Sequence, residues 1–389
     1  MSLQDKSIAI FGAGNMGRAL LKMALAKGAR VILFDKNLDM LNAVSLENSE
    51  YITSKRLSLT VTQEDAATIN LPLEINAIII AISWHEGRRL IHSLASQDSC
   101  PVIVLGRPDL NDPLIPTLAK RKHPILLGTG LEPGLMESIS SHILEQHPHS
   151  HTIESYCGGL PANPVGPFGY RLTFGRKLPI DPRLALTIRE RQRFSVPRFS
   201  EVRHQFFPTL GLLEAFDDAM LATTAEHFQK HVVNFTQSTL RWPGFSQSAR
   251  ACQALGLLSP QRMTVGDLNT CVRDLADTLL TTVCHSDETE SEDFVLCKWQ
   301  HVDQFGEKGE LIIKASQSDR DISAMAFMTC AFAMVATQFL FEKELTGIIY
   351  PHEKPATLIG VKFLQEIEKI RHVQITTSGT LTSIITEAA

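Results

Sequence analysis

The sequence has no C-x-x-C pair, and its seven cysteines, Cys100, Cys157, Cys252, Cys271, Cys284, Cys297 and Cys330, are odd in number and scattered. That excludes a disulfide-framework fold and a cysteine zinc site, and it points to a reducing, cytoplasmic setting. An excess of positive charge is also lacking. The 37 Lys and Arg stand against 42 Asp and Glu, a net charge of −5. Nucleic-acid binders draw affinity from concentrated basic charge, so no nucleic-acid partner is expected. Internal repeats and low-complexity tracts are missing, and no signal-peptide pattern precedes the first apolar run. What is present is ordinary globular material, 44% hydrophobic and 20% charged, which excludes a disordered or collagen-like chain. At 389 residues the chain can bury a large core without disulfides or structural metals, and it has the length of two or three domains.

One uncharged run, Ile322 to Phe341, is 20 residues long, enough to span a bilayer. It contains Ser323, Thr329, Thr337, Gln338 and many alanines. A buried helix, in the core or at a subunit interface, is therefore expected, with no membrane partner.

Along the first third, strands and helices alternate. Ser7–Phe11, Val31–Phe34, Ser58–Val61, Ala77–Ile82, Val102–Leu105 and Ile125–Leu127 read as strands, and Met16–Lys27 and Leu38–Asn48 as helices. Alternation of this kind implies an α/β domain with a parallel sheet and right-handed crossovers. The character changes after about residue 150. A helix is expected over Asp267–Val283, a hairpin over Phe294–Trp299 and Glu310–Ala315, then a helix over 357–371 and a strand at Val373–Thr376. The acidic run Asp287, Glu288, Glu290, Glu292 and Asp293 reads as a solvated loop.

Gly12, Gly14 and Gly17 stand as G-A-G-N-M-G between the first strand and the first helix. The first glycine suits a tight turn, the second the approach of a pyrophosphate, and the third close packing of helix on sheet. The helix N-terminus offers free N–H groups and partial positive charge to the phosphates. Asp35, at the end of the second strand, suits the adenosine ribose hydroxyls and repels a 2′-phosphate. The cofactor expected is NAD, with NADP less favoured. Its contacts are Gly12, Gly14, Asn15, Met16, Gly17 and Asp35, joined by Ile82, Ser83 and Gly130.

Ligands of open α/β sheets bind beyond the carboxyl ends of the strands. The fourth strand leads to Ser83-Trp84-His85, making His85 a candidate general acid or base. The sixth leads to Gly128-Thr129-Gly130-Leu131-Glu132-Pro133-Gly134. There Glu132 is a candidate for acid–base work or contact with a substrate amine, and Thr129 for substrate binding. Ser155–Pro161 (SYCGGLP) reads as a compact loop whose exposed amides, with Cys157, Gly158 and Gly159, would touch substrate. Arg241, beside Trp242, suits a carboxylate. His147, His149 and His151, and the i, i+4 pair His227 and His231, lack a third ligand at a telling spacing, so no metal is expected.

Together these motifs resemble the saccharopine dehydrogenase family, including its lysine 6-dehydrogenase branch, over nearly the whole chain. The likeness rests on the glycine fingerprint, GTGLEPG (128–134), SYCGGLP (155–161), Gly169-Tyr170, FPTLGLLEAF (207–216), TLRWPGF (239–245) and GIIYPHE (347–353). It implies a Rossmann NAD(P)-binding domain (1–127) and a mixed α/β substrate and dimerisation domain (128–350). A C-terminal helix and strand (351–389) would pack back on the body. It also implies a homodimer that oxidises a carbon–nitrogen bond of a lysine-derived amino acid, with Glu132 near the nicotinamide and Arg241 on the substrate carboxylate. A non-catalytic NAD(H)-binding sensor or scaffold of the same fold is the alternative.

Overall fold

The structure, a computed structural model, describes residues 3–62, 71, 74–164, 166–172, 177–218, 220–284, 292–319 and 321–385. Most of the acidic run, Asp287, Glu288 and Glu290, lies outside them. The chain divides into two compact units. One holds the chain up to Glu145 together with Ala326–Ile367, and the other holds Gln146–Met325 with a C-terminal stretch from Glu368.

The first unit runs β1 (Ser7–Phe11), α1 (Asn15–Ala26), β2 (Arg30–Asp35), α2 (Leu38–Glu47), α3 (Ser49–Thr53), β3 (Leu57–Val61), β4 (Ala77–Ile80), α4 (Trp84–Gln97), β5 (Val102–Val104), α5 (Ile115–Leu118), β6 (Ile125–Leu127) and α6 (Leu135–Gln146). The sheet order is β3-β2-β1-β4-β5-β6, parallel throughout. This is a Rossmann doubly wound sheet, as expected, and its order reverses between β1 and β4. β4, β5 and β6 are buried along their whole length, which accounts for their unbroken apolar sequence.

The second unit contains β7 (Ser150–Pro161), β8 (Leu184–Arg189), β9 (Gln192–Pro197), β10 (Arg203–Phe207), β11 (Gly211–Asp217), α7 (Ala222–His231), β12 (Asn234–Arg241), α8 (Phe245–Ala254), β13 (Arg262–Val265), β14 (Leu268–Cys271), α9 (Val272–Cys284), β15 (Asp293–Asp303) and β16 (Lys308–Ser316). The last elements are α10 (Ala324–Leu340), β17 (Ile348–Ile349), α11 (Lys354–Ile367) and β18 (Val373–Gly379). A mixed sheet runs β10-β11-β12-β7-β15-β16-β18, with β8 and β9 attached beside β12.

Hydrogen bonding, rather than chain position, decides where the last elements belong. β17 pairs with β6 and becomes the outer strand of the parallel sheet, whereas β18 pairs with β16 in the mixed sheet. The divisions expected at residues 127 and 350 therefore differ from the observed ones. The GLEPG loop and α6 up to Glu145 stay with the first unit, and Ala326–Ile367 returns to it.

Several local expectations are also corrected. The helix expected from Asp267 begins only at Val272, because Leu268–Cys271 pairs with Arg262–Val265 as a hairpin. Asp293, expected in a solvated loop, opens β15. It is buried, and its Oδ1 accepts the Ala324 N–H at 2.8 Å at the start of α10. Burial raises the pKa of its carboxyl. The uncharged run 322–341 forms the buried helix α10, and among the described residues no helix is long and apolar enough to cross a membrane.

Candidate functional site

In the glycine loop each of the three glycines has a separate cause. Gly12 has φ +105°, and a Cβ there would lie 2.8 Å from Ile82 Cγ2. A Cβ on Gly17 would lie 1.6 Å from the Gly12 carbonyl oxygen, so only glycine lets α1 approach β1 this closely. Gly14 differs from both: it is exposed, and a Cβ would meet nothing within 4 Å. It is also the N-cap of α1, with no side-chain cap and no acidic residue in the first turn. The helix therefore presents uncapped N–H groups and its positive dipole end beside an open face, which is what a pyrophosphate requires. Asn15 is exposed on that turn and Met16 half-buried.

Asp35 is half-buried, and its carboxylate already ties the loop together. Oδ2 accepts the Ala13 N–H at 2.6 Å and Oδ1 the Asn37 N–H at 2.8 Å. A carboxylate has about four acceptor sites, so capacity for ribose hydroxyls remains. Ile82 is half-buried against Gly12, while Ser83 caps α4. The Ser83 hydroxyl accepts the Glu86 N–H at 3.3 Å and donates to Glu86 Oε2 at 2.9 Å, which caps the first turn.

The fourth strand ends earlier than expected, at Ile80, and with Ser83 as N-cap Trp84 and His85 become the first residues of α4. Trp84 is buried, with Nε1 donating to Asp112 Oδ2 at 3.2 Å. His85 is exposed on the helix surface.

The GLEPG loop folds tightly on itself. Gly130 N–H donates to the Pro133 carbonyl at 2.9 Å, Leu135 N–H to the Gly130 carbonyl at 3.0 Å, and Thr129 N–H to the Val104 carbonyl at 2.8 Å. The Glu132–Pro133 peptide is cis. Thr129 and Gly130 are buried, and Glu132 is half-buried. The loop amide of Gly130 is thus spent on the loop itself. Glu137 is a residue that sequence reasoning missed: its side chain is fully buried, and Oε2 accepts the Gly134 N–H at 2.7 Å. The available signal was an acid three residues after a glycine at a helix start. Ser138 links this loop to the GIIYPHE segment, its hydroxyl donating to the carbonyls of Gly134 at 2.9 Å and Pro351 at 3.1 Å.

SYCGGLP is not a loop. It is the end of β7, paired with β15 along its whole length and with β12 as far as Cys157. Its glycines are there for close packing. A Cβ on Gly158 would sit 2.6 Å from the Leu240 carbonyl oxygen, and one on Gly159 would sit 2.5 Å from Met325 Cε. Cys157 is buried, with its Sγ 3.8 Å from that of Cys297 on the neighbouring strand. Gly158 and Gly159 thus lie in a strand paired with β15 and not in the expected compact loop.

Arg241 ends β12 and is 7% exposed. Its Nη1 donates to the Leu240 carbonyl at 2.7 Å, and its Nε reaches no acceptor among the described residues. On the adjacent strand Glu214, from the LEAF motif, is also buried. It accepts the N–H groups of Gly244 at 2.9 Å and Ser246 at 2.6 Å, so it caps α8 instead of pairing with Arg241. Among the described residues no group of three or more His, Cys, Asp or Glu is placed to hold a metal. His227 and His231 neighbour each other on α7 with ring centroids 4.8 Å apart. His301, which sequence reasoning did not single out, is buried between Ser150 Oγ and Thr380 Oγ1, each at 2.9 Å.

Known proteins match both units. Residues 130–372 match the family described as saccharopine dehydrogenase C-terminal domain, and residues 7–105 match that described as NADP oxidoreductase, coenzyme F420-dependent. Apo saccharopine dehydrogenase (L-Glu forming) from Saccharomyces cerevisiae aligns over 96% of this chain and 99% of its own, at TM-score 0.76 and 13% identity. That degree of likeness establishes a shared fold. A meso-dapdh mutant with DAP from Clostridium tetani E88 aligns over 94% of this chain and 99% of its own, at 12% identity and TM-score 0.41, which is too low to bear on the fold. With a nucleotide-binding Rossmann unit in place and the C-terminal domain match covering more than half of the sequence, the chain belongs to the saccharopine dehydrogenase family.

Proposed function

We propose that the protein is an NAD-linked amino acid dehydrogenase that oxidises a carbon–nitrogen bond of a lysine-derived amino acid. The observation that carries this reading is the Gly12–Gly17 loop, with Gly14 open above an uncapped helix terminus and Asp35 at the end of β2. The nicotinamide, when bound, supplies the hydride acceptor. The chain's own residues do the rest. The α1 N-terminus holds the pyrophosphate. Asp35 accepts from the ribose hydroxyls and repels a 2′-phosphate, which favours NAD over NADP. Arg241 takes a substrate carboxylate. Loss of hydride from the substrate carbon and of the N–H proton leaves a C=N bond that water hydrolyses. Glu132, half-buried in the GLEPG loop, is the better candidate for that proton than His85, which is exposed on α4. A cytoplasmic homodimer completes the proposal, its assembly to be measured by light scattering.

The test is a screen of the purified protein with NAD and with NADP against L-lysine, saccharopine and diamines, read by the appearance of reduced nicotinamide. Tight NAD binding without turnover on any of them would replace this reading with a non-catalytic nucleotide sensor or scaffold.

A further inference from the structure

Within the second unit two arginines are equally buried, Arg198 and Arg241, and among the described residues only one has a counter-ion. Arg198 Nη2 meets Asp218 Oδ2 at 2.7 Å. Arg241 makes a single hydrogen bond among the described residues, to the Leu240 carbonyl, and no carboxylate pairs with it there. A buried cation without an anion is costly, and structures retain one where a ligand or another compensating group answers it. At Arg241 two aromatic rings take that place. Its Cζ lies 4.9 Å from the ring centroid of Tyr170 and 5.3 Å from that of Phe245. The two rings meet edge to face at 73°, with centroids 5.7 Å apart, so they form a corner. Both are buried. Gly169 explains why the chain reaches this spot. It has φ +53°, and a Cβ there would lie 2.9 Å from the Cβ of Trp242, the residue after Arg241. Only glycine lets the segment carrying Tyr170 approach the end of β12 so closely.

We propose that Tyr170 and Phe245 are positioning residues, which hold the Arg241 guanidinium in one orientation so that its Nε and Nη2 edge receives a single substrate carboxylate. The electron-rich ring faces attract the cation without using its N–H donors. The planar fork of Nε and Nη2 then matches the two oxygens of one carboxylate. The fork geometry sets the ligand class: Asp218 is shared by Arg183 and Arg198, no carboxylate among the described residues pairs with Arg241, and a carboxylate is the anion that matches its planar edge. This inference rests on the amino acid dehydrogenase reading for its biological substrate, but its test does not.

The probe is glutarate, titrated calorimetrically into the full-length protein. Wild type should bind it, Arg241→Met should lose detectable binding, and Tyr170→Leu should weaken binding about tenfold. Tyr170→Phe, which keeps the ring, should stay within about twofold of wild type. The Arg241 Nε–H resonance in 15N spectra should be sharp in wild type and Tyr170→Phe and should broaden in Tyr170→Leu. A packing role alone would not move it. Phe245→Leu reads the same effect through the second ring if Tyr170→Leu does not fold. Absence of glutarate binding by wild type overturns the site. A ringless variant that binds like wild type, or that weakens with the resonance unchanged, overturns the positioning role. Glutarate binding as described, with no amino acid oxidised in the screen, would sink the dehydrogenase reading and leave the carboxylate site standing.

Discussion

The glycine loop of the parallel sheet and the arginine corner of the mixed sheet are built by opposite means. In the first, the turn that receives the pyrophosphate lies within six consecutive residues, Gly12 to Gly17, and the constraint is backbone geometry. In the second, Tyr170, Arg241 and Phe245 come from a loop, a strand end and a helix start, and the constraint is how side chains pack. The first kind of site should fail through steric collision. The second should fail through lost positioning, with the backbone intact.

The largest expected effect tests the collision. Gly17→Val places side-chain atoms against the Gly12 carbonyl. It should cost roughly 3 kcal/mol or more of stability and abolish NAD binding, measured by denaturant unfolding and calorimetry. A stable, NAD-binding Gly17→Val protein would break the backbone half of the comparison.

The mixed-sheet unit should have its own weakness, in acid. Burial holds His301 at a pKa of about 4, and His227 on α7 is pushed down to about 4 by burial and by its neighbour His231. Both lie below the usual 6.5, so the unfolded chain binds more protons than the folded one in that interval. Stability is complete above pH about 6.5 and is lost as pH falls toward about 4. His301 alone should contribute a loss on the order of 2 kcal/mol between pH 7 and pH 5. Urea midpoints at the two pH values measure it, and His301→Gln should flatten the dependence. An equal loss in that variant would assign the acid sensitivity elsewhere.

Glu214→Ala should cost about 2 kcal/mol, because it leaves the Gly244 and Ser246 amides at the start of α8 without their acceptor. Its melting temperature should fall while NAD affinity, which belongs to the other unit, is unchanged. Asp35→Ala should weaken NAD binding about tenfold, a loss of roughly 1.4 kcal/mol, and reduce the preference over NADP. Unchanged affinity would show that Asp35 only braces the loop through Ala13 and Asn37. The smallest stability effect belongs to Gly14→Ala, whose Cβ meets nothing. Its melting temperature should match wild type within about 1 °C, while NAD affinity drops because the added methyl occupies the pyrophosphate's approach.

The two regions were also unequally legible. Alternating apolar strands and helices gave the parallel sheet, and the spacing of Gly12, Gly14, Gly17 and Asp35 gave the nucleotide loop. Both signals are local in sequence. SYCGGLP misled because paired glycines suggest a turn, whereas here they admit the Leu240 backbone and the Met325 side chain against a central strand. His85 misled because the strand was read past Ile80 toward the N-cap of a helix. Arg241 was recognisable as a carboxylate ligand by residue type, but its isolation from Glu214 was not. The two residues are direct partners across β11 and β12, yet Glu214 turns to the α8 amides.

The sequence alone, then, determined the Rossmann class and the nucleotide-binding turn, because each depends on neighbours a few residues apart, and the family, because a series of short motifs recurs in order along the chain. The tertiary structure decided that the chain returns to the parallel sheet through β17, that CGGLP is buried strand, and that Arg241 lies against two rings, with no carboxylate among the described residues. Those outcomes depend on which distant segments exclude water from one another, and no short stretch of sequence records them.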